Sequence, residues 1–258
     1  MEIYEQHKGK LITIAVLFVA IIIGIIVLNF SSCIPAKKEP EPTPTPEPTA
    51  EPVVQTPEPT PEPTPEPPLI DLESDDSINR YVSQTHLIPE TYVPADLRDV
   101  NAHAAKTQQL REEAAGKLEE MFKAAIDDRI YLKLVSGYRS YREQADLFSY
   151  YTQTRGSYYA MVIDDHPGAS EHQLGLAADI GCWNGACELA YCFTQYADYT
   201  WLKENSWKYG WIERYPEGKQ AITNIIYSPW HYRYVGVDEA AKIYESGQTM
   251  EEYYNIMQ

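Results

Sequence analysis

The sequence predicts an α+β fold for residues 71–258 of this 258-residue chain. Stretches with the three- and four-residue spacing of amphipathic helices are separated by short apolar stretches with the two-residue period of strands. The strands are scattered between helices instead of alternating regularly with them, which argues against a parallel α/β sheet. A segment of this length can bury one core, so we expect a single domain with a small antiparallel sheet and flanking helices.

Helices are predicted in both halves of this domain. Residues 104–127 form the first, because their apolar residues recur at spacings of three and four. A second begins at Ser140, where Ser140 and Glu143 have the pattern of a capping box, and runs to about Tyr151.

Three more helices are predicted towards the C-terminus. Residues 198–209 form a helix that ends at Gly210. Two short helices then begin at Asp238 and at Thr249, where Glu252 completes a second capping box.

The predicted strands are short. Residues 131–135 and 176–180 form two of them, and residues 222–227 and 232–235 form two more. Pro229 lies between the last two strands and breaks them apart.

The N-terminal part of the chain has a different composition. Residues 11–30 are almost wholly apolar and uncharged, and a helix of this length crosses a hydrocarbon core of about 30 Å. Lys8 and Lys10 precede the run. We therefore expect residues 1–10 in the cytoplasm, a transmembrane anchor and an extracellular C-terminal domain. A cleaved signal peptide and lipidation at Cys33 remain alternatives.

Residues 31–70 are predicted to be a disordered linker rich in proline, glutamate and threonine. Residues 35–68 contain 14 prolines and seven glutamates, and proline fixes φ and removes hydrogen-bond donors. An extended spacer of this length reaches roughly 100 Å. An anchor followed by a stiff spacer suggests that the domain works in a thick external layer such as a cell wall.

The domain is acidic. Residues 71–258 contain 29 Asp and Glu against 17 Lys and Arg, which gives a net charge of −12. This balance argues against nucleic acid as a partner. An anionic substrate would have to be bound by a local cationic group.

Three residues have the chemistry of a zinc site. His172 and Asp179 lie in the segment 170–179 (SEHQLGLAAD), and His231 lies in the segment 228–236 (SPWHYRYVG). Two imidazoles and one carboxylate leave a tetrahedral Zn²⁺ one open position for water, which is the arrangement of a catalytic zinc site.

The chain resembles the VanY-type D-alanyl-D-alanine carboxypeptidases. The resemblance is carried by residues 136–144 (SGYRSYREQ), 167–179 (PGASEHQLGLAAD), 201–216 (WLKENSWKYGWIERYP) and 229–236 (PWHYRYVG), and it covers roughly residues 77–245. It implies a single zinc-peptidase domain that removes the terminal D-alanine from peptidoglycan stem peptides. The anchor and the spacer agree with a cell-wall substrate.

Matched position by position, the resemblance implies roles for six residues. His172, Asp179 and His231 match the family's zinc ligands. Arg139 matches its substrate-facing arginine, whose guanidinium can hold a carboxylate or a developing oxyanion in two parallel hydrogen bonds. Gln144 and Ser170 match polar positions that bind the peptide.

Ser228 departs from the family pattern. The family has glutamate at this position, where it takes a proton from the attacking water. A serine hydroxyl cannot act as this base near pH 7, and losing general acid–base help lowers a rate by about 10²- to 10⁴-fold. Zinc and Arg139 could leave a residual activity, or another carboxylate, with Glu171 as one candidate, could act instead.

Two functions from different classes therefore remain. The first is a zinc metallocarboxypeptidase, with the base replaced or the rate reduced. The second is a catalytically silent relative that keeps zinc and binds wall peptides or a partner protein. In both cases we expect a monomer on the outer face of the membrane.

Cys182, Cys187 and Cys192 follow the Asp179 strand at five-residue spacing. An external compartment permits a disulfide, and a bond from Cys182 to Cys187 is the plausible loop closure. The spacing does not decide which pair forms.

Overall fold

A four-stranded antiparallel sheet organises the described residues, 70–163 and 165–256, in the computed structural model of the chain. Its strands are β3 (Leu132–Ser136), β4 (Ala177–Cys182), β5 (Trp211–Glu213) and β6 (His231–Tyr234), arranged in the order β3-β4-β6-β5. A second, two-stranded sheet pairs β1 (Leu97–Asp99) with β2 (Gln109–Arg111). The mixed α and β content and the small antiparallel sheets confirm the predicted fold class of the domain.

Helices and helical turns surround the sheet. They are α1 (Glu112–Asp127), α2 (Tyr141–Arg155), α3 (Ser157–Ile163), α4 (Ala197–Asn205), α5 (Gln220–Thr223), α6 (Val237–Ser246) and α7 (Met250–Tyr253). Short 3-10 helices occupy Glu171–Leu174, Tyr191–Gln195 and Ser206–Tyr209.

Both predicted capping boxes are present. The Ser140 side chain accepts a hydrogen bond from the backbone N–H of Glu143 at the start of α2, and the Glu143 carboxylate accepts one from the backbone N–H of Ser140. Thr249 and Glu252 make the same pair of bonds at the start of α7. These bonds satisfy backbone donors that the first turn of a helix leaves unpaired.

The two faces of the sheet have different environments. Side chains alternate between faces along a strand, and one set of positions joins the main apolar core with α1. This set includes Leu134, Ala178, Ile180, Tyr232 and Tyr234, which cluster with Leu118 and Met121 of α1. The other positions of β4 and β6 include Asp179 and His231, which therefore lie on the opposite face.

Two predicted elements differ from the structure. The helix predicted over residues 104–127 begins at Glu112, because Gln109–Arg111 form β2 instead, held by the β1 pairing and by a bond from Arg111 N–H to the Gly175 carbonyl. The strand predicted over residues 222–227 was wrong. The short helical turn α5 ends there, at Asn224 in the left-handed conformation.

The disulfide, whose pairing the sequence left open, does not join Cys182 to Cys187. Cys187 bonds to Cys192 across a loop, with 5.5 Å between the two Cα atoms. Cys182 is a free thiol that lies in the apolar core. Cys182 is the last residue of β4, and Cys187 packs against the same core cluster without bonding to Cys182.

The predicted cytoplasmic tail, the transmembrane anchor and all but the last residue of the predicted linker (31–70) lie outside the described residues. Within the described ranges, none of the helices has the length and apolarity that crossing a membrane requires. The division of the chain at residues 10, 30 and 70 stays a prediction.

Candidate active site

The structure brings His172, Asp179 and His231 together, although they are far apart in sequence. Asp179 on β4 lies directly opposite His231 on β6 in the antiparallel register, and paired residues of this kind project from the same face as close neighbours. His172 lies on the 3-10 helix that precedes β4. One potential ligand atom from each residue lies within 4.8 Å of the other two.

His172 presents its Nε2 atom to this cluster. Its Nδ1–H donates a hydrogen bond of 2.6 Å to the Gly137 carbonyl, which fixes the neutral tautomer with a lone pair on Nε2. That Nε2 lies 3.3 Å from Oδ2 of Asp179. Burial lowers the pKa of His172, which favours the neutral ring that metal binding requires.

His231 faces the cluster through Nδ1, whereas His172 does so through Nε2. Its Nδ1 lies 3.1 Å from Oδ1 of Asp179. Burial opposes a charge on this ring, but interactions with Asp179 and Glu171 outweigh it and raise the pKa of His231 to about 9. Burial also acts against the charge of Asp179, yet the two histidines hold the pKa of its carboxyl below its usual range.

The donor set fits zinc. Two ligand atoms on a tetrahedral Zn²⁺, each about 2.0–2.1 Å from the metal, lie about 3.3 Å apart. The two contacts that Asp179 makes with the histidines are 3.1 and 3.3 Å. All three residues are at most 8 % exposed, and their potential ligand atoms lie within 4.8 Å of one another, so a buried carboxylate and two imidazoles are close enough to converge on one zinc ion.

A cavity of about 160 Å³ opens on the three residues. Its wall includes Arg139, Ser170 and Ser228, all of which the sequence pointed to. Asp165 also lies on this wall, and among the residues lining the cavity it supplies the one carboxylate besides Asp179.

Arg139 is held in place from two sides. Its Nη2 lies 3.8 Å from Oδ2 of Asp179, and its Nη1 donates a 2.8 Å hydrogen bond to Oε1 of Gln144. Gln144 is fully buried and donates in turn to the backbone carbonyl of Asp165. Gln144 therefore lies behind Arg139 and orients it, and it is not one of the residues on the cavity wall.

Ser228 reaches the cavity because the chain turns between β6 and the segment before it. His231 N–H bonds to the Ser228 carbonyl across Pro229, and Ser228 N–H bonds to the Tyr215 carbonyl. The Ser228 hydroxyl donates to the Ile226 carbonyl at 3.0 Å. The side chain at this position thus lies beside the metal cluster, and it carries no group that accepts a proton near pH 7.

Glu171, the carboxylate next to His172 that the sequence offered as a possible base, does not line the cavity. Its side chain is fully buried beneath His231 and binds Arg214 and Arg233. Burial raises the pKa of a carboxyl, but these two guanidiniums lower that of Glu171 below its usual range. Because it does not line the cavity, it cannot take a proton from a water in it.

Known proteins resemble this chain in both sequence and structure. Residues 107–237 match the family model described as VanY, D-alanyl-D-alanine carboxypeptidase. A putative carboxypeptidase of Bacillus subtilis, YodJ, is 39 % identical over 188 residues, which are 71 % of this chain and 69 % of that protein.

Two solved structures share the fold. The LD-carboxypeptidase LdcB has a TM-score of 0.67 and 37 % identity, with 71 % of this chain and 88 % of that chain covered. A mutant of the vancomycin-resistance D,D-pentapeptidase VanY, in complex with Zn(II), has a TM-score of 0.57 and 34 % identity, with 67 % and 96 % covered.

The match of the family model reaches from β2 to the start of α6, and it contains all three residues of the metal cluster together with Arg139 and Ser228. This chain belongs to the VanY family of D-alanyl-D-alanine carboxypeptidases.

Proposed function

We propose that this protein is a zinc carboxypeptidase that removes the terminal D-alanine from peptidoglycan stem peptides. The observation that carries the proposal is the donor set of His172, Asp179 and His231, whose potential ligand atoms lie within 4.8 Å of one another on a cavity beside Arg139. The description of the matched family and the zinc-bound VanY relative support the substrate and the metal.

Each side chain at the cavity has a distinct part in this proposal. Zinc held there would supply Lewis-acid chemistry for a peptide carbonyl and would make water more acidic. Arg139 binds the C-terminal carboxylate or the developing oxyanion of the substrate, because its guanidinium is always charged and is held in place by Gln144. Ser170 lies on the same wall and can hydrogen-bond to the peptide.

Ser228 sets the expected rate. Without a carboxylate at this position, turnover relies on metal and Arg139, so it is slower than a site with a well-placed base allows. The same residue favours the second candidate, a silent relative that retains zinc and binds wall peptides or a partner protein without cutting them.

Incubation of the zinc-loaded protein with two synthetic stem peptides tests the proposal. A pentapeptide ending in D-Ala-D-Ala is expected to lose one D-alanine. A tetrapeptide in which a single terminal D-alanine follows a residue of L configuration is expected to stay intact. Cleavage of the tetrapeptide alone would assign L,D specificity. Saturable binding of either peptide without cleavage would establish the silent relative instead.

Arg139→Lys is expected to lower kcat/KM for the pentapeptide by roughly 10²-fold, the effect of removing one well-aligned donor to a developing charge. Lysine keeps the charge but cannot form the paired hydrogen bonds. The exposed Arg142, three residues along on α2, provides the matched control. Equal activities of Arg139→Lys and Arg142→Lys would show that Arg139 has no role in turnover.

We also propose that residues 11–30 anchor the chain in the cell membrane, with the domain on the outer face at the end of the proline-rich spacer. The apolar run and the preceding lysines support this placement. The full chain is expected in the membrane fraction and to require detergent for release, whereas residues 71–258 alone stay in the soluble fraction. Release of the full chain by high salt alone would contradict the anchor. A monomeric state stays a prediction.

A further inference from the structure

A buried cluster of four charged side chains lies directly beneath the metal ligands. Oε1 of Glu171 accepts hydrogen bonds from Arg214 Nε at 2.8 Å and from Arg233 Nη1 at 2.9 Å. Arg214 also donates two bonds to Glu251, at 3.0 and 2.6 Å. Each of these four side chains is at most 2 % exposed. Two carboxylates and two guanidiniums cancel in charge, which allows them to be buried together.

The second oxygen of Glu171 faces His231. Its Oε2 lies 3.6 Å from Nε2 of the ring. Both atoms are buried, and neither has a hydrogen-bond partner within the described part of the chain. Buried polar atoms are rarely left in this state, and here the unpaired acceptor and the unpaired ring nitrogen are next to each other. A shift of the ring by under about 1 Å would bring them to hydrogen-bond distance.

The opposite side of the same ring faces the metal cluster. Nδ1 of His231 lies 3.1 Å from Asp179, so Nε2 is the nitrogen that points away towards Glu171. A metal-binding histidine commonly donates its other N–H to a carboxylate, which fixes both the tautomer and the orientation of the ring.

Arg214 and Arg233 fix the orientation of the Glu171 carboxylate. Arg233 is two residues from His231 on β6 and also donates to the backbone carbonyls of Ile78 and Arg80. Because Oε1 is occupied by both guanidiniums, Oε2 is left with one orientation, towards His231.

We propose that Glu171 is a positioning residue, which accepts Nε2–H of His231 and thereby presents Nδ1 of that ring to the metal. The inference rests on the proposed zinc site. It assigns the Glu171–Arg214–Arg233 cluster to the metal centre, although none of the three touches the cavity in which the peptide would bind.

Two isosteric variants test this assignment. Glu171→Gln and Glu251→Gln each remove one negative charge from the same arginine cluster, but only Glu171 faces His231. A neutral amide has one acceptor oxygen and cannot serve both the arginines and the ring. Competition with a chromogenic chelator is expected to give a zinc Kd that is 10- to 100-fold weaker for Glu171→Gln, and within about threefold of wild type for Glu251→Gln. Thermal unfolding of the two metal-free variants measures how far each substitution lowers the stability of the fold, separately from its effect on zinc affinity.

Equal losses of zinc affinity in the two variants would overturn the positioning role and leave the zinc site intact. Absence of zinc binding by the wild-type protein would overturn both. A second measurement does not depend on either variant folding. Nitrogen-15 NMR of histidine side chains in the zinc-loaded wild type is expected to show His231 metal-bound at Nδ1 and protonated at Nε2, with the assignment made by its loss in His231→Gln. Metal bound at Nε2 would contradict the inference.

Discussion

Replacing Ser228 with glutamate is expected to raise kcat for a D-Ala-D-Ala-terminated pentapeptide by about 10²- to 10⁴-fold. Residue 228 lies on the wall of the cavity beside His172, Asp179 and His231. Its backbone is fixed by bonds to Tyr215 and His231, so a longer side chain extends into the cavity. A carboxylate there can take a proton from water and return it to the leaving amine, which a hydroxyl cannot do.

Ser228→Gln is the matched control, because glutamine has the size of glutamate without its basicity. Only Ser228→Glu is expected to gain activity, and the affinity of both variants for zinc should stay close to wild type. An equal gain in Ser228→Gln would attribute the effect to shape. No gain in Ser228→Glu would mean that wild type already has a base. Asp165→Asn then measures the share of the Asp165 carboxylate, which lies on the same wall.

Loss of the metal is expected to abolish turnover entirely. The cavity wall offers Arg139 as a fixed cation, but without zinc nothing among the described residues polarises the carbonyl and makes water acidic at the same place. His172→Ala removes one of three ligands and leaves the hydrogen bond to Gly137 unmade. Two remaining ligands hold zinc too weakly to keep it during purification, so this variant is expected to be inert.

Local sequence patterns predicted those parts of the fold that depend on local interactions. Ser140 and Glu143 form their capping box within one turn of helix, and Thr249 and Glu252 do the same. The spacing of apolar residues likewise predicted the helix α1 and its end at Asp127. Residues 222–227 were mistaken for a strand because a short apolar run is compatible with more than one kind of secondary structure. In the structure, Ile225 of this run lines the cavity.

Long-range contacts explain what the sequence could not predict. The three metal-cluster residues could be named from their motifs, but the register that places Asp179 opposite His231 is a property of the folded sheet. Glu171 was considered as a base because it adjoins His172. Its partners Arg214 and Arg233 are 43 and 62 residues away, and only their approach shows that Glu171 lies beneath the site. The Cys187–Cys192 bond likewise could not be predicted from the sequence, because Cys182 and Cys187 have the same five-residue spacing as the pair that bonds.

The central claim is that His172, Asp179 and His231 hold a zinc ion on which cleavage of a D-alanyl peptide depends. Its most direct test is a zinc titration of the metal-free wild-type protein, with release of D-alanine from the pentapeptide as the readout. The account predicts no release before zinc is added, a rise to a plateau at one zinc per chain, and no response in His172→Ala. Release from the metal-free protein, or a normal zinc response in His172→Ala, would contradict it.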